Sequence, residues 1–209
     1  MCEVFQRFTF LMLNYLCRHV TLPKVWFTHY QRVGLRIGFI IVMASNLVVI
    51  GTGSQAACNI AGLASELPHN IVVILTEAAL RFITKDTIRN VGNVEIVLDD
   101  QSPQMAKLPN HIWASEFADL TVVYPASAGF IGKMANGLAL DVASTVILAS
   151  EPTKVLVYPS MHQKMWEHPG VVENMKTLGR AGFIVSASRN GQAPAVDVVV
   201  AEVNRIITR

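Results

Sequence analysis

Asn46-Leu-Val-Val-Ile50, followed at once by Gly51-Thr-Gly-Ser54, is the stretch on which the fold turns. Its four consecutive apolar residues, three of them β-branched, show no in–out alternation. That is the pattern of a strand covered on both faces, as in a parallel sheet. The glycines and serine behind it form a tight strand-to-helix turn. Backbone N–H groups in such a turn can close round an anion, and a following helix over 55–66 adds a favourable dipole. The loop alone is a weak signal, because Gly and Ser also cap ordinary turns of this kind.

Working outward, further apolar runs mark strands at 71–75, 94–98, 120–124 and 154–158. Helical stretches fall at 55–66, 77–83, 131–149, 171–181 and 196–207. Strands alternating with helices imply right-handed βαβ units. The expected fold is therefore α/β, a single doubly wound parallel sheet with helices on both sides. Sheets of this kind bind ligands at the carboxyl ends of their strands. Attention goes to Gly51–Ser54, to Thr76 (which on its own reads as a helix cap), and to the stretches 125–130 and 159–166.

Composition narrows the function classes. The 209 residues are 52% apolar and 15% charged, which excludes disorder and points to surface hidden by self-association. The net charge of +2 is too small to indicate nucleic acid, and no Lys/Arg run with interleaved aromatics occurs. Residues 1–42 carry the whole basic excess, through Arg7, Arg18, Lys24, Arg32 and Arg36 against Glu3 alone. They do not fit the strand–helix alternation, and Met43 directly precedes the first core strand. The expectation is an extension over 1–42 and a core domain over 43–209.

Cys2, Cys17 and Cys58 are odd in number and irregular in spacing, which fits a reducing, cytoplasmic compartment. No Cys/His cluster suggests a metal. Mean hydropathy is +0.40. The greasy stretches 8–17 and 37–50 are nevertheless short and are interrupted by Asn14 and Asn46, below a membrane-spanning length.

Two motifs are more specific. Pro125-Ala-Ser-Ala-Gly-Phe-Ile-Gly-Lys-Met-Ala-Asn-Gly137 follows a strand with small residues, which let a flat ligand approach the backbone. Pro159-Ser-Met-His-Gln-Lys-Met-Trp166 follows the next strand. The first resembles the Pro-Ala-Ser-Ala-Asn-Thr motif of the homo-oligomeric flavin-containing cysteine decarboxylases, and the second that family's Pro-x-Met-Asn-x-x-Met-Trp motif. The likeness runs from Met43 to Ala187. It takes in Thr76-Glu-Ala-Ala-Leu-Arg-Phe82 and His111-Ile112.

The resemblance implies a Rossmann-like flavoprotein with FMN as cofactor. It implies that Gly53, Ser54 and Thr76 hold the phosphate, and that Ser127, Ala128 and Ser160 line the ribityl chain and ring. His111 matches the catalytic base; unaided, Pro109-Asn110 would make it a surface-loop histidine. Met161 and His162 fall where the second motif meets substrate. Two positions depart from the family. Gly129 replaces an asparagine that binds the substrate carboxylate, and His162 replaces the asparagine of the second motif. A histidine there can supply a compensating donor.

The implied chemistry is oxidative decarboxylation of a C-terminal cysteine. The coenzyme A branch of the family re-reduces the resulting enethiol with a cysteine in a late segment. Here the matching stretch, Ser186-Ala-Ser-Arg-Asn-Gly-Gln-Ala-Pro194, has no cysteine, and none follows Cys58. The product expected is an enethiol, made on a ribosomal precursor peptide on the way to aminovinyl-cysteine rings of the lantibiotic type. The resemblance also implies trimers or dodecamers. The alternatives are a phosphopantothenoylcysteine decarboxylase-like enzyme, a non-catalytic regulatory flavoprotein, and a flavin prenyltransferase, against which Met161…Met165-Trp166 argues.

Overall fold

A computed structural model describes residues 25–26, 42–104, 106–186 and 190–208. Most of the basic segment 1–42 lies outside these residues. Val25–Trp26 pairs antiparallel with Val42–Met43.

From Asn46 onward six strands form one parallel sheet: β1 Asn46–Gly51, β2 Asn70–Leu75, β3 Val94–Leu98, β4 Leu120–Ala126, β5 Val155–Pro159 and β6 Ile184–Val185. Their spatial order is β3-β2-β1-β4-β5-β6. The chain builds outward from β1 to β3, returns to β1's other side, and builds outward again. The order reverses between β1 and β4, where a ligand crevice opens in such sheets.

The unalternating apolar runs are explained by two separate cores. Leu47 and Val49 of β1 pack on α1 (Ile60–Glu66) and α8 (Val196–Ile207), through Leu63, Val199 and Val203. Val48 and Ile50 face the other way, onto α3 (Asn110–Phe117), α4 (Ala128–Ala135), α5 (Val142–Ala149) and α7 (Pro169–Arg180). Every residue from Leu47 to Ile50 is 0% exposed, so neither face of the strand could carry a polar side chain without loss.

Three local expectations are corrected, and one further element is found. The helix expected over 77–83 is only a 3₁₀ turn, Ala79–Arg81, and a true helix, α2 (Lys85–Arg89), follows it, capped by the Thr84 hydroxyl accepting from Thr87 N–H. The helix expected over 131–149 is two. Gly137 adopts φ +63°, Leu138 N–H donates to Lys133 O at 2.9 Å, and Gly137 N–H to Met134 O at 3.2 Å. Those paired bonds are a Schellman stop. Asp141 then opens α5 with a reciprocal capping box to Ser144. Pro109-Asn110 starts a helix rather than a surface loop, so His111 stands in the first turn of α3. Between β5 and α7 lies a further short helix, α6 (Gln163–Trp166).

Candidate flavin site at the carboxyl edge of the sheet

The sheet is parallel, so β1, β2, β4 and β5 all end on one edge. The sequence-predicted residues follow those ends. Gly53 and Ser54 come after β1, Thr76 after β2, Ser127, Ala128 and Gly129 after β4, and Ser160, Met161 and His162 after β5. His111 belongs to a helix that returns antiparallel to the strands, so its first turn lies towards the same edge.

Hydrogen bonds stitch these loops together. Thr52, 1% exposed, donates its hydroxyl to Pro125 O at 2.7 Å and accepts from Ser127 N–H at 2.8 Å. It thereby joins the loops on either side of the β1/β4 switch. The Ser54 and Ser160 hydroxyls meet at 2.7 Å, which joins the loop after β1 to the loop after β5. One shared proton makes that bond; the other hydroxyl proton remains for an anion. Ser160 N–H also donates to Ala126 O at 2.8 Å.

Each small residue has a spatial reason. A Cβ at Gly53 would stand 2.6 Å from Ala78 Cβ, so only glycine lets the turn pass this close to the loop after β2. Thr76 is 7% exposed, its N–H donates to Gly51 O at 3.0 Å, and its hydroxyl oxygen accepts from Ala79 N–H at 3.3 Å. As an acceptor of that bond, the hydroxyl still has a proton to give. Ser127 caps α4 by accepting from Phe130 N–H. Gly129 is exposed, with nothing within 4 Å of where its Cβ would lie.

The histidines differ in situation. His111 is half-buried. His162 is exposed and is the N-cap of α6: its Nδ1 accepts from Lys164 N–H at 3.2 Å. An accepting Nδ1 is unprotonated, so the capping geometry selects the tautomer with its proton on Nε2. A protonated imidazole would forfeit the cap. With Nδ1 accepting, Nε2–H is the donor of the ring in this geometry.

Three features of the site went unread in the sequence. Thr52 joins two loops across 75 positions. Its signal was faint, a hydroxyl between two glycines, Gly51 at the end of β1 and Gly53 in the turn after it. Gly191 accepts from Met161 N–H at 2.7 Å, which brings the late segment onto the second motif. Tyr124 and Tyr158 underlie both motifs. Residues 187–189 of that late segment lie outside the described residues, as does the greater part of the N-terminal extension.

The donor set fits a phosphorylated flat cofactor. The Ser54 and Ser160 hydroxyls meet at a glycine turn. The end of β4 and the chain after it set the small residues Ala126, Ser127, Ala128 and Gly129 at the same edge, with Thr76 just after neighbouring β2. Among the described residues no group of three His, Cys, Asp or Glu could hold a metal ion, and no helix is long and apolar enough to cross a membrane.

Comparison with known proteins agrees with this geometry. The family model described as Flavoprotein matches residues 43–208. The bifunctional coenzyme A biosynthesis protein CoaBC of Bacillus subtilis (strain 168) is 35% identical over 141 residues, 66% of this chain. The match takes in 34% of CoaBC, so the chain spans about a third of the length of the curated relatives it matches. Among solved structures, a cysteine-to-serine mutant of PPC decarboxylase complexed with pantothenoylaminoethenethiol superposes with TM-score 0.73. At 21% identity, covering 79% of this chain and 100% of that one, it shows a shared fold. The FMN-dependent cysteine decarboxylase TvaF from thioviridamide biosynthesis is 28% identical with TM-score 0.65, covering 76% of this chain and 96% of its own. The chain belongs to the Flavoprotein family, among the flavin-containing cysteine decarboxylases.

Proposed function

We propose that this protein binds FMN and oxidatively decarboxylates the C-terminal cysteine of a precursor peptide, releasing an aminoenethiol. The observation that carries the reading is the convergence of two motif loops and a phosphate turn, tied by the Ser54–Ser160 and Thr52–Ser127 hydrogen bonds. Gly53, Ser54 and Thr76 hold the phosphate; Ser127, Ala128 and Ser160 line the chain and ring. Bound FMN supplies the two-electron oxidation of the cysteine Cβ–S unit to a thioaldehyde.

This chain's residues do the rest. His111 takes the proton lost in that oxidation. The carboxyl carbon is then attached next to a C=S sink, so the Cα–carboxyl bond breaks and its electron pair forms the Cα=Cβ bond of the enethiol. Met161 and His162 hold the peptide end, with the His162 Nε2–H donating to the carboxylate in place of the side chain missing at Gly129. Open space at Gly129 leaves room for that carboxylate.

The absence of cysteine after Cys58 supports an enethiol end product, because re-reduction needs a proton donor in the late segment. The 35% identity to CoaBC favours a second reading, decarboxylation of phosphopantothenoylcysteine to a saturated thiol. Mass spectrometry after incubation with short peptides ending in cysteine decides. Loss of one CO2 and two hydrogens is expected. Loss of CO2 alone, from phosphopantothenoylcysteine and not from peptides, would establish the second reading. A purified protein that neither carries nor takes up FMN would sink both.

A further inference from the structure

Two tyrosines lie between the flavin-facing motifs and the late stretch of chain. Tyr124 immediately precedes Pro125, and Tyr158 immediately precedes Pro159. Both are 0% exposed, and their rings meet edge to face with centroids 5.9 Å apart. A purely space-filling role would be served by phenylalanine. A buried phenol needs a hydrogen-bond partner to offset its lost hydration.

One partner belongs to the late stretch itself, the other to helix α8. The Tyr124 hydroxyl donates to Pro194 O at 3.1 Å, with the Asn59 side chain beside the same phenol. The Tyr158 hydroxyl donates to Glu202 Oε2 at 2.9 Å, and the Ser186 hydroxyl donates to that same oxygen at 3.1 Å. Ser186 N–H donates to Val157 O at 2.9 Å. Three residues before Pro194, Gly191 O receives Met161 N–H. Gly191 has φ +77°, and a Cβ there would stand 2.8 Å from Met161 O, so the contact is a close backbone approach that glycine permits.

We propose that Tyr124, Tyr158 and Glu202 are positioning residues for the substrate loop, holding Pro194 and Ser186 so that Gly191 fixes the backbone of Met161 and His162. This rests on the reading that Met161 and His162 meet the substrate. The linkage is short. Pro194 has a restricted φ and sits three residues from Gly191, so a freed Pro194 carbonyl loosens the Gly191–Met161 bond directly. Glu202 is the shared acceptor: removing it releases two hydroxyls at once, one of them buried.

The test uses the full-length, FMN-loaded protein and the variants Tyr124→Phe, Glu202→Ala and Glu202→Gln. Amide exchange at Met161, which needs no substrate, should quicken about 3- to 10-fold in Tyr124→Phe and Glu202→Ala, the range of one lost hydrogen bond. Glu202→Gln keeps an oxygen that accepts both hydroxyls and should exchange as the wild type does. With a short peptide ending in cysteine as probe, KM should rise by a similar factor in the first two variants, with kcat within about twofold and FMN content unchanged. Unchanged Met161 exchange in Tyr124→Phe and Glu202→Ala overturns the proposal. So does quickened exchange with an unmoved KM. A wild type that processes no such peptide overturns the functional reading instead, while the exchange still reads the linkage.

Discussion

Ser54 is where the phosphate claim is most exposed to test. Its hydroxyl is 2.7 Å from that of Ser160, and both belong to loops at the β1/β4/β5 edge. Ser54→Glu puts a carboxylate against the phosphate and separates the two loops. The purified variant is expected to be colourless where the wild type is yellow, read by absorbance after gel filtration. The two histidines separate chemistry from binding. His111→Asn keeps FMN and lowers turnover by about two to four orders of magnitude, the usual contribution of a general base. His162→Ala instead weakens binding of a peptide acid and reduces discrimination between C-terminal acid and amide, measured by titration against both. Equal acid affinity in His162→Ala and wild type would remove His162 from carboxylate recognition. These residues were singled out in the sequence by the family resemblance of the motifs that hold them, not by their identity alone. The tautomer was not legible there, because it depends on the backbone N–H of Lys164 that His162 caps.

Elements show where reading a one-dimensional pattern succeeds and stops. β1, β2, β4 and β5 were legible because burial on both faces forces continuous apolar runs. β6, two residues long, carries no such run. α3 was missed because Pro109-Asn110 serves turns and helix starts alike. The break at Gly137 was visible as a residue and unread as a stop. The side-chain bonds that join the loops after β1, β4 and β5 span 73 to 106 positions, and nothing local encodes them. Thr52 tests that point. Thr52→Val keeps the shape but removes the hydroxyl that pairs with Pro125 O and Ser127 N–H. The expected loss is about 1–3 kcal/mol by denaturant midpoint, with weaker FMN retention. An unchanged midpoint and full FMN content would mean the β1 and β4 loops hold their positions without it.

Across the whole molecule, pH-sensitive contacts and an exposed apolar surface stand out among the described residues. His69, 2% exposed, accepts from Ser45 N–H and pairs through Nε2 with Asn204, joining β1's start to the C-terminal helix. Burial holds its pKa below the ordinary 6.5, against the opposing pull of Asn204 and Asp119. The unfolded chain therefore binds a proton that the folded chain refuses. Stability is full above about pH 6.5 and falls as pH drops towards the folded pKa, by at most about 1.4 kcal/mol per unit. His69→Gln should flatten that limb in urea melts taken across the range. Burial acts to raise Asp99 and Asp141, but Lys85 and Lys133, at 2.5 Å from them, together with hydrogen bonds from Ser102, Gln101 and Ser144, outweigh it and hold both below 3.8. Their contribution is lost only at lower pH, so the two windows separate.

The surface concerns leucines. Scattered single exposures are ordinary, but Leu138, Leu140 and Leu148 are 45%, 70% and 59% exposed within one short stretch running from the end of α4 through α5. Gly137's turn brings that stretch together: a Cβ there would be 4.0 Å from Leu148 Cδ1. With 52% apolar residues and 15% charged, the chain has little polar surface to spare for isolating such a patch. A second copy of the chain is the occupant that the homo-oligomeric reading supplies. Leu140→Glu with Leu148→Glu places two charges where burial between copies would require their desolvation, which a contact of this size does not repay. Both positions are solvent-facing in the single chain, so its fold should tolerate the change, read as an unaltered far-ultraviolet spectrum. Sedimentation velocity should then show the assembly replaced by a smaller species. If the double variant sediments with the wild type, these leucines take no part in contact between copies.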